Sequence, residues 1–174
     1  LHHYFFFRPL GRSLRRSEEM FTLNETVADL AGRELGDTAF ARMGGDLSVS
    51  SSRYQSGEER DPIFTSKMRE TRLRVEELLA VGKIEEAERY MKERWWHMRL
   101  GGYYLRKLNQ AYFAFRGRYG EGPASVSPIG DQTRELRDLL PSTRAFIKTV
   151  SSVSSYQEFL DKLEGLRAKT AATP

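Results

Sequence analysis

Apolar residues recur along this chain at intervals of three and four, and charged residues fill most of the positions between them. Met20, Phe21, Val27, Leu30 and Ala31 fall along one helical stripe. Ser17 stands where a cap belongs, and Glu18 and Glu19 make the first turn acidic. This helix is predicted to run to Gly36, with a short helical piece over 37–42 and with Gly32 allowing a close neighbour. The same period returns in Phe64, Met68, Leu73, Val75, Leu78 and Leu79 and ends at Gly82, a residue suited to the position just past a helix. It resumes in Ile84, Ala87, Tyr90, Met91 and Trp95, so the two stretches read as a helical hairpin. Leu105, Leu108, Tyr112 and Phe115 predict one long aromatic helix over 95–119, bent at Gly101 and Gly102. Further helices are predicted over 131–140, stopped by Pro141; over 143–153, capped by Ser142; and over 156–167, capped by Ser154 or Ser155.

The breaks in the pattern set the organisation. Residues 2–7 read as the end of a helix with a buried aromatic run, stopped by Pro9 and Gly11 and followed by an Arg-rich connection through Arg16. Residues 44–62 are rich in Gly, Ser and charge and read as a long mobile loop. Alternating β-branched runs are scarce, so the fold class is mainly α, without a substantial sheet. The chain is taken as a single helical domain over 1–174. It divides into 1–43, the loop 44–62, a helical subdomain over 63–167, and a frayed tail over 168–174.

Composition narrows the chemistry. With 174 residues, 39% of them hydrophobic and 30% charged, the chain can bury a core of its own. Its net charge is +4, but its arginines are spread out and no dense basic tract is interleaved with aromatics, so nucleic acid is not the favoured partner. There is no cysteine, hence no disulfide and no thiolate metal site. No apolar run is long enough to span a bilayer. The sequence has no Gly-rich phosphate loop and no nucleophilic Ser or Cys triad. The compartment stays open.

The stretch with chemistry in it is Leu23-Asn24-Glu25-Thr26-Val27-Ala28-Asp29-Leu30. As a helix it puts Glu25 and Asp29 one turn apart on one face, with the apolar residues on another. Asn-Glu followed four residues later by Asp resembles the second motif of the gluzincin zinc metallopeptidases. That family carries H-E-x-x-H on the preceding helix. The chain opens Leu1-His2-His3-Tyr4-Phe5-Phe6-Phe7-Arg8-Pro9-Leu10-Gly11, which resembles the tail of such a motif. His2 stands 23 residues before Glu25, within the family's usual spacing; His3 is the poorer alternative. The resemblance covers residues 1–36 and extends toward 103–130.

The resemblance implies a C-terminal part of a zinc-dependent peptidase. In that reading His2 and Glu25 are metal ligands, and the first His and the base Glu lie just before Leu1. Asp29 orients the first His, and Asn24 supports the ligands from behind. The substrate is a peptide or protein. On the aromatic stretch, Tyr104 and Asn109 are candidates for lining the substrate cleft, and Arg106 and Tyr112 for donating to the oxyanion. His97 is not needed as a ligand. The whole protein could be held at a membrane by a preceding part. Two other readings remain at this point. One is a non-catalytic helical interaction or scaffold domain in which Glu25 and Asp29 are solvated or paired. The other is a basic helical nucleic-acid binder.

Overall fold

The computed structural model describes residues 1–47, 61–116, 120, 122 and 124–172. Among them the chain is all helix and turn, with no strand, so the mainly α expectation holds. Cα proximity separates two compact units, Leu1–Asp46 with Tyr119–Glu121 and Ser127–Pro174, and Leu47–Arg118 with Gly122–Val126. The stretch 63–167, read from sequence as one subdomain, is thus shared between them.

Among the described residues the first unit holds six helices: α1 (His2–Phe6), α2 (Pro9–Arg12), α3 (Glu18–Arg42), α7 (Ile129–Asp138), α8 (Thr143–Ser151) and α9 (Tyr156–Ala171). Helix α3 is its spine. Ser17 caps it by accepting from the Met20 N–H. Met20, Leu23, Val27, Ala28 and Ala31 are buried at helical spacing against Phe5, Leu10, Ile129, Leu136, Phe146, Val150 and Phe159. The helix does not end at Gly36 but runs unbroken to Arg42, because a lone glycine in an otherwise good helical sequence costs only about 1 kcal/mol. Glu34 ties the spine to its neighbours. Arg137 Nε donates to both of its carboxylate oxygens at 2.9 Å, and the Thr143 hydroxyl donates to one of them at 2.6 Å. Ser142 and Ser155 cap α8 and α9 as their sequences predict, and α9 continues four residues past 167.

Two corrections concern the N-terminal helices. Pro9 does stop α1, but it also opens α2, occupying the first-turn position where its missing N–H is no loss. The residue before it, Arg8, is extended, as proline requires of its predecessor. The aromatic run is also not buried as a block. Phe5 is fully buried, whereas Phe6 and Phe7 are 68% and 70% exposed and Tyr4 is 44% exposed. A helix of five residues has one inward direction, so consecutive aromatics cannot all use it.

Two glycines have opposite roles. A Cβ on Gly11 would stand 2.2 Å from the Phe5 carbonyl oxygen, so α2 lies against the end of α1 only because this side chain is absent. A Cβ on Gly32 would meet only the Leu1 side chain at 3.8 Å, an ordinary contact; the close packing expected at Gly32 is found at Gly11 instead. Gly32→Ala should therefore stabilise the first unit by about 0.5–1 kcal/mol through helix propensity, measurable as a higher urea midpoint.

The second unit is built on the antiparallel pair α4 (Pro62–Ala80) and α5 (Ile84–Leu100), followed by α6 (Gln110–Arg116). Helix α4 begins at Pro62, earlier than its apolar stripe, because Asp61 caps it by accepting from the Ile63 N–H. The core joins Phe64, Met68, Val75 and Leu78 to Ala87, Met91 and Met98. The single aromatic helix expected over 95–119 is not formed. Helix α5 stops at Leu100, Gly102 takes a positive φ of 88°, and 103–109 folds back irregularly. Trp95 Nε1 donates to the Leu105 carbonyl, and Leu105 and Leu108 are buried. Most of the loop expected over 44–62, namely 48–60, lies outside the described residues.

Candidate functional site

The first unit contains a cleft of about 480 Å³. Helix α1 contributes His2, His3 and Phe6, with Phe7 just beyond its end; Gly11 on α2, Leu14, and Asn24 and Glu25 on α3 complete it. The close approach at Gly11 sets the position of α1, and α1 presents its first residues to the middle of α3. The walls are largely apolar, and the polar atoms gather at the His2, Asn24 and Glu25 end.

These three residues form one arrangement. His2 Nδ1 lies 3.2 Å from Asn24 Oδ1, and His2 Nε2 lies 3.7 Å from a Glu25 carboxylate oxygen. An amide oxygen only accepts, so Nδ1 carries the hydrogen of that bond. In the neutral ring Nε2 then holds a bare lone pair, directed at a carboxylate. A proton would give an ion pair, but 3.7 Å is long for a hydrogen bond. Two ligand atoms of one tetrahedral zinc, each bonded at about 2.0–2.2 Å, stand about 3.4 Å apart. Asn24 is only 2% exposed, so its hold on His2 is anchored in the core, while the His2 side chain is 54% exposed and the Glu25 side chain 18%.

The other residues singled out from sequence have these positions. Asp29 lies one turn below Glu25 and is held in an ion pair by Arg33 of the same helix. Among the described residues no third His, Asp or Glu joins His2 and Glu25 in a metal-sized cluster. Tyr104, Arg106, Asn109 and Tyr112 belong to the second unit. Asn109 Oδ1 accepts from the Tyr112 N–H, so this amide caps α6, which accounts for a polar residue amid aromatics. Tyr112 packs edge-on against Phe113; Tyr104 is 75% exposed, with the Arg99 guanidinium 5.4 Å from its ring centre; and Arg106 is exposed. His97 Nδ1 lies 2.8 Å from the Glu93 carbonyl oxygen. In the same unit the Tyr103 hydroxyl donates to Asp61 at 2.5 Å, and this bond holds the Asp61 carboxyl below its ordinary value.

The cleft-lining role of Phe6, Phe7 and Leu14 was not legible in the residue pattern, because nothing in an aromatic run says which ring is left over once Phe5 is buried. A helical wheel over 2–6 would have separated Phe5 from Phe6.

Compared with protein-family models, with curated proteins and with solved structures, the chain matches none. No helix among the described residues is long and apolar enough to cross a membrane.

Proposed function

We propose that this chain carries two of the protein ligands of a zinc-dependent peptidase, His2 and Glu25, and that the first His and the base Glu of the H-E-x-x-H motif precede Leu1 in the parent protein. The observation that supports this most directly is the pair of acceptors, His2 Nε2 and the Glu25 carboxylate, 3.7 Å apart at the polar end of a cleft. Zinc bound there would polarise a peptide carbonyl and lower the pKa of a bound water.

The roles of the chain's own residues follow from their contacts. Asn24 fixes the His2 ring and its tautomer by accepting from Nδ1. Glu25 supplies one anionic ligand atom from a rigid helix interior. The apolar walls give a substrate side chain a place to lie. Asp29 is assigned to the first His of the motif, a role that requires it to exchange Arg33 for that ring.

A second reading is favoured by that Arg33 pair. If Asp29 keeps Arg33 and His2 is protonated toward Glu25, the same residues belong to a non-catalytic helical domain. The two are separated by measuring peptidase activity and bound zinc in the parent protein with Asn24→Ala and with Asp29→Asn. On the metal reading Asn24→Ala lowers zinc affinity by about 10–100-fold, and Asp29→Asn lowers activity less than loss of a ligand does. Unaltered zinc content and activity in both variants would favour the scaffold.

A further inference from the structure

The second unit carries an exposed group of aromatic rings around one cation. Helix α5 ends in a turn with large apolar residues on its surface: Trp96 is 52% exposed and Leu100 82%. Gly102, with its positive φ, turns the chain back, and Tyr104 follows at 75% exposure. Arg99 joins these rings. Its guanidinium carbon lies 5.1 Å from the centre of the Trp95 ring and 5.4 Å from that of Tyr104. Trp96 stands edge-on to Trp95, ring centres 4.9 Å apart. The Trp95 ring is fixed in turn by the bond from its Nε1 to the Leu105 carbonyl. Two rings therefore hold the Arg99 guanidinium in place. Among the described residues no carboxylate pairs with it and no oxygen accepts from it.

From Arg94 to Gly120 the sequence has six Lys and Arg and no Asp or Glu. Along the chain those cations are dispersed, which is why the residue pattern points away from nucleic acid; the fold brings one of them onto exposed rings. We infer that this face binds single-stranded nucleic acid. Bases stack on Trp96 and Tyr104, and a phosphate takes the N–H groups along the edge of the Arg99 guanidinium. Arg106 is exposed and makes no ion pair among the described residues. Its main chain is joined to the carbonyl that Trp95 holds, so a second cation starts from the same place.

Two other anionic partners fit less well. A duplex keeps the faces of its bases inside its own stack, so exposed rings gain no stacking from it. An acidic peptide offers carboxylates to Arg99 but leaves Trp96 and Tyr104 without planar partners. A single strand supplies a phosphate and a flat ring in every nucleotide, and so answers both the cation and the rings. The cleft of the first unit takes no part in this binding, which does not rest on the peptidase reading.

The test is fluorescence anisotropy on this chain with a labelled oligothymidylate of about twelve nucleotides, within the length that one binding face covers. It should bind at least about fivefold more tightly than a duplex of the same length, the difference that one stacked base makes, and lose affinity as salt rises. Trp96→Ala should weaken it by a similar factor without changing the salt dependence, and Trp96→Phe should keep most of the affinity. Arg99→Gln should reduce the slope of log affinity against log salt by about 0.7, the share of one phosphate on a single strand. The Trp96 ring is half exposed, so its loss spares the core, and an unchanged circular dichroism spectrum checks that. A duplex bound as tightly as the single strand would overturn the inference. So would a Trp96→Ala protein that binds like the parent, a glutamate–tyrosine peptide that binds more tightly than the oligonucleotide, or no binding at low salt.

Discussion

Gly11→Val should destabilise the first unit by about 3 kcal/mol, near the upper end of what overpacking costs. For a chain of this size that is a fall in Tm of roughly 6–12 °C. The three atoms nearest an added Cβ are the Phe5 carbonyl oxygen at 2.2 Å, the Phe5 carbonyl carbon at 2.4 Å and the Phe6 nitrogen at 2.8 Å. All belong to the main chain of α1, so no rotamer change relieves the overlap. Either α2 backs away from α1 or α1 unwinds. Both displace Phe5 from the core and carry His2 away from Asn24, so the His2 ring resonances should lose the shift that marks its hydrogen bond. Gly32→Ala is the control, since the Cβ added there meets only the Leu1 side chain at 3.8 Å, an ordinary contact. A Gly11→Val protein as stable as the parent would mean that α1 does not lie where the cleft needs it.

Much of the fold was legible because burial follows period. The α3 core positions, the α4–α5 hairpin and the serine caps of α3 and α8 can all be read from residue spacing. Failures arise where one local rule competes with another. Over 95–119 the aromatic stripe matches a helix, yet Gly101 and Gly102 end it outright, because a positive φ at Gly102 sends the chain back over Trp95. At Pro9 a helix breaker was also a helix starter. Glu34 has no sequence signal at all: its partners Arg137 and Thr143 are about a hundred residues away. For the site, spacing along α3 placed Glu25 and Asp29 on one face, but pairing within the helix decided that Asp29 meets Arg33. The contact between His2 and Asn24 was accessible only through the resemblance, since no periodicity links residues on different helices.

The second large effect is expected at Glu25. In the parent protein, Glu25→Ala should lower zinc affinity by more than about 100-fold, beyond the 10–100-fold typical of residues that only support a ligand. On the proposed peptidase reading it removes one anionic oxygen from the metal. Peptidase activity should fall with the zinc content. Stability should change little, because the partner of the Glu25 carboxylate is His2, whose side chain is itself half exposed. That combination, lost metal with an intact fold, is what a scaffold role for Glu25 would not produce.

Anomalous diffraction at the zinc edge, on crystals of the zinc-loaded parent protein, tests the assignment most directly. If His2 and Glu25 are zinc ligands, a single strong peak stands about 2.0–2.2 Å from both His2 Nε2 and a Glu25 carboxylate oxygen, with His2 Nδ1 still held by Asn24. A zinc-loaded crystal with its peak elsewhere, and with His2 and Glu25 joined only to each other, would contradict it.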